Sequence, residues 1–206
     1  MWENQVPAFT GLGYRFIAYE RRAEGSAVED LEALAAHLLL DRFHLVGTAA
    51  GGIVAVDYAL SHPEKLISLV IANSIVGVQD EEYLEMARRL RPSPEFNAIP
   101  AEIRELGPSY RAVNAEGTRR WKELSRHVAP QATKNRITFA ALASINTPTL
   151  LLTGDADLYT PPSVLRLLAA HFPNCESLVI PECGHSAFWE QPEAFNQAVL
   201  DFISKH

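Results

Sequence analysis

The chain has little cysteine, a deficit of positive charge and no long uninterrupted apolar run. Its 206 residues include two cysteines, Cys175 and Cys183, which lack metal-site spacing and which we expect to be reduced, as in a cytoplasmic protein. The net charge of −7 argues against nucleic acid as a partner. The apolar runs are too short to cross a bilayer, and no apolar signal-peptide core follows Glu3. We therefore expect a cytoplasmic globular protein that binds neither membrane nor nucleic acid.

Strand-like and helix-like segments alternate along most of the chain. Apolar runs predict strands at residues 14–19, 43–46, 66–72, 149–153 and 177–180. Apolar residues at helical spacing predict helices near residues 2–9, 28–38, 53–62, 162–171 and 195–203, and a capping box at Ser26 marks the start of the second. Strands that alternate with helices of crossover length predict the α/β class, with a mostly parallel sheet flanked by helices.

Residues 78–140 break this alternation. Helical pieces at 81–90, 101–106 and 117–127 are separated there by prolines at positions 92, 94, 100, 108 and 130. We interpret this region as a helical cap inserted between an N-terminal core part (1–77) and a C-terminal core part (141–206). Its basic residues could attract an anionic substrate, but almost as many acidic residues are interleaved with them. A solvated helical surface is therefore the favoured interpretation of these charges.

A glycine-rich turn follows the predicted strand that ends at Val46. It reads Gly-Thr-Ala-Ala-Gly-Gly over residues 47–52 and leads directly into a predicted helix. A Gly-x-Ser-x-Gly turn in this setting holds a nucleophilic serine on a strained corner, and its small neighbours let strand and helix pack closely. Ala49 stands at the serine position here. Because alanine has no hydroxyl group, the turn has the form of a nucleophile turn without the nucleophile.

Two polar motifs follow later strands. Gly154-Asp155-Ala156-Asp157 comes directly after one predicted strand, and the pair Gly184-His185 follows the last. A nucleophile turn, then an acid, then a histidine is the chain order of α/β-hydrolases. Taken together, these motifs resemble the α/β-hydrolase superfamily, in the branch that contains small esterases, lactonases, carbon–carbon bond hydrolases and cofactor-free haloperoxidases. The resemblance runs over essentially the whole chain.

The resemblance implies roles for particular residues. Ala49 would occupy the nucleophile position, His185 would act as the general base, Asp157 would orient its imidazole, and the backbone N–H of Ala50 would supply half of an oxyanion hole. Asp155 competes with Asp157 for the acidic role, but the spacing to Gly154 and Pro161 favours Asp157. The resemblance implies no metal or organic cofactor. The expected partner is a small-molecule substrate or ligand. The sequence leaves open whether the chain forms a homo-oligomer.

Ala49 leaves three interpretations of function. Removing the nucleophile of a serine hydrolase costs about six orders of magnitude in turnover. The chain is therefore an inactive form of a hydrolase for a small ester, lactone or cleavable ketone, or an enzyme that uses His185 and Asp157 as a general base without a nucleophile, or a non-catalytic protein that binds a small molecule.

The resemblance also predicts missing segments. In the family, a strand and a His-Gly loop precede the helix that begins here near Trp2, and that strand lies in the sheet between those matching residues 14–19 and 42–46. The connection after Arg22 and the stretch around Pro130 are also short. Omitting a central strand would leave backbone groups of the sheet without partners. We therefore expect the natural protein to contain segments that this chain lacks.

Overall fold

The sheet is small and entirely parallel. The structure, a computed structural model, describes residues 1–22, 24–125 and 132–206. Its strands are β1 (Phe43–Thr48), β2 (Leu66–Ala72), β3 (Thr149–Gly154) and β4 (Cys175–Ile180). They pair in parallel in the order β1-β2-β3-β4. The strands predicted at these four places and the α/β class are confirmed.

Helices connect the strands and cover both faces of the sheet. They are α1 (Gln5–Thr10), α2 (Ala27–His37), α3 (Ala50–Ser61), α4 (Glu81–Arg89), α5 (Ala101–Glu105), α6 (Pro108–Val113), α7 (Ala115–Leu124), α8 (Phe139–Leu142), α9 (Pro162–Ala169), α10 (Ala187–Glu190) and α11 (Pro192–Ile203). The Ser26 hydroxyl accepts a hydrogen bond from the Glu29 N–H at 3.3 Å, as the capping box predicts. In the described residues, no helix is both long and apolar enough to span a membrane.

Alternate side chains of the inner strands enter two separate apolar clusters. Leu151 packs with α2, α3 and α9 on one face, while Leu150 and Leu152 pack with α1 and α11 on the other. Every residue of β3 is buried. A strand covered on both faces reads as a continuous apolar run, because neither set of alternate side chains meets water. This explains why the inner strands were the clearest elements in the sequence.

The prediction of a strand at residues 14–19 is wrong. In the described residues, no backbone hydrogen bond joins this segment to the sheet, and the Tyr14 N–H instead bonds back to the Phe9 carbonyl at 3.2 Å. Tyr14 and Phe16 nevertheless pack against the core, with the Phe16 and Phe9 rings 5.8 Å apart, whereas Ile17 and Tyr19 are exposed. A strand needs a neighbour at about 4.8 Å, and the family's strand between this segment and β1 is among the segments that we expect this chain to lack. Apolar packing alone therefore leaves the segment irregular.

Between β2 and β3 the described residues form helices and turns without a strand. Helices α4, α5 and α7 lie where helical pieces were predicted. The boundaries of a cap at residues 78 and 140 stay predictions, and Arg126, His127 and Pro130 lie outside the described residues. Asp57 of α3 anchors the chain that returns to the core, because its carboxylate accepts the N–H groups of Lys134 at 2.7 Å and Asn135 at 2.9 Å.

Candidate active site

Ala49 occupies a strained corner between β1 and α3. Its backbone has φ 50° and ψ −120°, a conformation that costs a non-glycine residue about 1–3 kcal/mol. A Cβ added at Gly47 would collide with the backbone of Gly51, and one at Gly52 would lie 2.5 Å from Cβ of Ser74. Two glycines are therefore required by close contact. The sequence predicted this close packing of strand and helix.

Ala50 is exposed and is the first residue of α3. The first N–H groups of a helix have no acceptor within the helix and carry the positive end of its dipole. The Ala50 N–H is therefore placed to donate to an oxygen that approaches the corner, as the proposed oxyanion role requires.

His185 and Asp157 form a buried pair. Nδ1 of His185 lies 2.9 Å from each carboxylate oxygen of Asp157. The Asp157 carboxylate also accepts the N–H of Thr160 at 2.9 Å and the hydroxyl of Thr153 at 2.9 Å. Asp155, the competing acid, instead accepts a backbone N–H of the loop after β4, at 3.1 Å. The structure thus brings Asp157, and not Asp155, to the histidine.

Asn73 completes this network, and sequence reasoning missed it. Its amide Nδ2 donates to Asp157 Oδ2 at 3.0 Å and to the Gly184 carbonyl at 3.2 Å. Asn73 directly follows β2, whose last residue, Ala72, accepts the Ala49 N–H at 2.9 Å. Its position at the end of an inner strand, beside the glycine-rich turn, was the available signal. The next residue, Ser74, accepts the Val76 N–H at 3.2 Å instead and takes no part in the network.

The four parallel strands bring these residues to one edge of the sheet. Ala49, Asn73, Asp157 and His185 lie in the segments that follow β1, β2, β3 and β4 respectively. The carboxyl ends of parallel strands meet at the same edge, where open α/β sheets bind their ligands. The pairing of Thr48 with Ala72 and of the ends of β3 and β4 keeps these segments side by side.

The helical segment between β2 and β3 covers the histidine. The carbonyl of Glu105 accepts the His185 N–H at 2.8 Å, and its carboxylate Oε2 lies 3.9 Å from His185 Nε2. The Tyr159 ring lies against the imidazole, with centroids 4.4 Å apart, and its hydroxyl accepts a hydrogen bond from Arg104 at 2.7 Å. The imidazole is thereby enclosed, with 8% of its side chain exposed.

Glu190 fastens this cover to the histidine loop. Its buried carboxylate accepts the N–H groups of Gly107 at 2.7 Å, Gly184 at 3.0 Å and Ser186 at 3.1 Å. Burial raises the pKa of Glu190 although these three hydrogen bonds oppose the change. Nothing in the local sequence marks this role, since Gly107 is 83 residues away in the chain.

Electrostatic interactions favour the charged forms of the central pair. Burial opposes protonation of His185, but the negative charges of Asp157, Glu105 and Glu190 outweigh it and raise the pKa of the imidazole. Burial also opposes ionisation of Asp157, but the charge of His185 and its hydrogen bonds, including one from Asn73, lower its pKa from 3.8 to about 2. Each member of the pair therefore favours the charged form of the other.

No group of three or more His, Cys, Asp or Glu side chains in the described part of the chain is arranged to hold a metal ion. What the arrangement can supply is acid–base chemistry from His185, oriented by Asp157, and N–H donation from the corner at Ala49.

This sheet, the strained corner and the histidine–aspartate pair are those of an α/β-hydrolase. Residues 1–198 match the family model described as "Alpha/beta hydrolase family". The chain therefore belongs to the α/β-hydrolase family, as its resemblance to that family predicted.

Several relatives of this chain are named as hydrolases. The 2-hydroxy-6-oxo-6-phenylhexa-2,4-dienoate hydrolase of Burkholderia cepacia is 27% identical over 184 residues, and the match covers 80% of this chain and 64% of that protein, just under two thirds of its length. A 2-hydroxy-6-oxononadienedioate/2-hydroxy-6-oxononatrienedioate hydrolase of Paraburkholderia phymatum is 29% identical over 237 residues, covering 99% and 82%. The solved enol-lactonase of Burkholderia xenovorans shares the fold, with a TM-score of 0.79 at 20% identity, covering 98% and 85%.

Proposed function

We propose that this scaffold hydrolyses a small ester, lactone or cleavable ketone by acyl transfer when a serine stands at position 49, and that Ala49 leaves the present chain without its nucleophile. The observation that carries the proposal is the buried His185–Asp157 pair at the same sheet edge as the strained Ala49 corner. The names of the relatives, which include a dienoate hydrolase and an enol-lactonase, support this range of substrates. We also propose a cytoplasmic protein with a helical cap.

Each residue of the proposed triad has one task in this reaction. A serine hydroxyl at position 49 would attack the carbonyl carbon while His185 Nε2 takes its proton. The Ala50 N–H would stabilise the oxyanion, and His185 would pass the proton to the leaving group. Asp157 would hold the Nδ1–H and stabilise the imidazolium. Water would then attack the acyl carbon while His185 takes its proton, and His185 would return that proton to the serine oxygen as the acid is released.

Restoring the nucleophile tests this proposal. We expect Ala49→Ser to hydrolyse p-nitrophenyl acetate at least about a thousandfold faster than the unsubstituted chain, because the remaining machinery is assembled. Thr48→Ser is a matched control, since it adds no nucleophile at the corner. Adding His185→Ala to Ala49→Ser should abolish the gain. An Ala49→Ser protein that folds and stays at the background rate would contradict the proposal.

A second candidate keeps Ala49 and uses His185 and Asp157 as a general base on a bound acidic C–H or O–H. The observation that favours it is the intact pair, in which both carboxylate oxygens of Asp157 are hydrogen-bonded, in a chain without a nucleophile. A positioned base of this kind contributes about two to four orders of magnitude. Activity already present in the unsubstituted chain and lost in His185→Ala would support it. Ligand binding without turnover in either form would support a non-catalytic role.

A further inference from the structure

We propose that Glu190 is a positioning residue that makes the placement of His185 depend on closure of the helical cover. The cover consists of residues 101–113, that is, α5, α6 and the two residues between them. The inference rests on the site of the proposed function. It does not depend on acyl transfer, because Ala49 takes no part in it.

The two oxygens of the Glu190 carboxylate bind different parts of the chain. Oε2 accepts the N–H of Gly107 in the cover at 2.7 Å and the N–H of Gly184 at 3.0 Å. Oε1 accepts the N–H of Gly184 at 3.1 Å and that of Ser186 at 3.1 Å. One buried carboxylate therefore joins the cover to both residues that flank His185.

The backbones of the cover and the histidine loop are in direct contact. A Cβ on Gly107 would lie 2.9 Å from the Gly184 nitrogen, and a Cβ on Gly184 would lie 2.4 Å from the Gly107 nitrogen. The next N–H in the loop, that of His185, donates to the Glu105 carbonyl at 2.8 Å. Lifting the cover therefore breaks a backbone hydrogen bond of His185 itself.

Gly184 connects Glu190 to the His185–Asp157 pair. Its carbonyl accepts the side-chain N–H of Asn73 at 3.2 Å, and the same amide group donates to Asp157 Oδ2 at 3.0 Å. The N–H of Gly184 is thus fixed by Glu190 and its carbonyl by Asn73. A shift of Gly184 therefore disturbs both the imidazole and the carboxylate that orients it.

The groups that bind Glu190 are all N–H donors, and they require an ionised carboxylate. A carboxylate has two acceptor oxygens, whereas the amide of glutamine has one acceptor oxygen and an NH₂ group that only donates. Whichever way it is turned, a glutamine leaves either the Gly107 or the Ser186 N–H without an acceptor. Because the site is buried, water does not readily replace that acceptor. Glu190→Gln therefore weakens the connection while keeping the size of the side chain.

Access to His185 requires the cover to move. The Tyr159 ring and the Glu105 carboxylate lie over the imidazole, and of these two only Glu105 belongs to the cover. Lifting the cover withdraws Glu105 from Nε2 and also removes the carbonyl that holds the His185 N–H. The histidine is therefore fully placed only after a substrate has entered and the cover has closed again.

The test follows the proton on His185 Nδ1, which is held in the hydrogen bond to Asp157 and gives a downfield NMR signal. Its exchange with water measures how often the pair opens. We expect Glu190→Gln to speed this exchange about tenfold or more, because hydrogen bonds to a charged group are lost. A folded Glu190→Gln protein with the exchange rate of the unsubstituted chain would overturn the proposal.

Glu182→Gln is the matched control for this measurement. The Glu182 carboxylate lies in the same loop and also contacts the cover, where it accepts the hydroxyl of Ser109, but it is exposed. Its loss should leave the exchange of the Nδ1 proton unchanged. An equal effect of both substitutions would overturn the specific role of Glu190.

A substitution in the cover tests the coupling from the other side. Gly107 has φ −60°, which alanine adopts readily, so Gly107→Ala acts only through the contact of its methyl with Glu190 and Gly184. We expect it to speed exchange of the Nδ1 proton about tenfold or more, because the overpacked contact pushes the cover away. Val113→Ala, at an exposed position of the cover, should change nothing. An unchanged rate in Gly107→Ala would overturn the proposal.

A measurement on the unsubstituted chain covers the case in which these variants do not fold. Because the cover and the histidine loop open together, the amide opening constants of Gly107, Gly184 and His185 should agree within about threefold. They should exceed that of Leu151 in the buried strand β3, which reports global unfolding. A larger difference among the three, or opening no more frequent than at Leu151, would overturn the proposal.

These measurements need no turnover, so they are separable from acyl transfer. In the Ala49→Ser background, Glu190→Gln should lower kcat about tenfold or more and change KM less, because fewer closed complexes have His185 in place. Esterase activity in Ala49→Ser without faster Nδ1 exchange in Glu190→Gln would refute the coupling alone. Faster exchange without that activity would refute only acyl transfer.

Discussion

At the scale of single residues, Asp157 accepts more hydrogen bonds than any other side chain described in the site. One buried carboxylate accepts hydrogen bonds from an imidazole, an amide, a hydroxyl and two backbone N–H groups. A buried charge is tolerated only when such partners compensate for the water it has lost. The pair with His185 therefore stabilises the fold as well as providing an acid–base group.

The lowered pKa of Asp157 predicts a loss of stability at acid pH. Because the pKa of Asp157 falls from 3.8 to about 2 on folding, the ionised carboxylate contributes about 2 kcal/mol to the free energy of unfolding above pH 4 or so. That contribution disappears as the pH falls through the folded-state value. Urea unfolding at several pH values should show this loss of unfolding free energy in the unsubstituted chain and in the control Asp201→Asn, but not in Asp157→Asn. The same acid dependence in all three proteins would contradict it.

At the scale of elements, the corner between β1 and α3 depends on two close contacts. Gly47 and Gly52 leave no room for a side chain, whereas a Cβ at Gly51 would meet no atom within 4 Å. The three glycines lie in one turn, yet their environments differ because only two of them face a neighbouring element.

Alanine substitutions should separate these environments. Gly52→Ala places a methyl 2.5 Å from Ser74 Cβ in a buried contact and should lower the free energy of unfolding by about 1–3 kcal/mol. Gly51→Ala, the matched control in the same helix, should be neutral or stabilising by up to about 1 kcal/mol, because alanine favours helix. Denaturant midpoints give both values. A Gly52→Ala protein as stable as Gly51→Ala would show that the contact relaxes freely.

The elements and residues that sequence could predict share one property, which is a local signal. Continuous apolar runs marked β2 and β3, and spacing after a strand marked Asp157 and His185. The segment at 14–19 has the same apolar signal, but it has no neighbouring strand and only Tyr14 and Phe16 pack against the core. Glu105 and Glu190 act through contacts between distant parts of the chain, so nothing beside them in sequence indicates their roles. Asn73 was marked only by its place at the end of an inner strand.

At the scale of the whole molecule, β1 and β4 are the edge strands of the sheet in the described residues, and the outer edge of β1 is open. The Ala49 N–H points to β2, where it bonds to Ala72. Because N–H groups alternate along a strand, those of Leu45 and Gly47 also face β2, and those of Val46 and Thr48 face away. No backbone acceptor for the outward pair occurs in the described ranges.

Hydrogen exchange should reveal this edge. We expect the amides of Val46 and Thr48 to exchange faster than those of Leu45 and Gly47, since only the latter are held in the ladder with β2. Amide-resolved exchange measured by NMR at a low protein concentration tests this. Equal protection of all four amides would mean that another strand, from a second copy or from elsewhere in the protein, pairs along β1.

The corner at Ala49 also bears on how this chain relates to an active enzyme. A turn that no longer displays a reacting group could shed its strain by becoming glycine, yet the conformation that projects a side chain is kept. Alanine and serine codons differ by a single base, so one nucleotide change would place a hydroxyl on a scaffold already shaped to hold it.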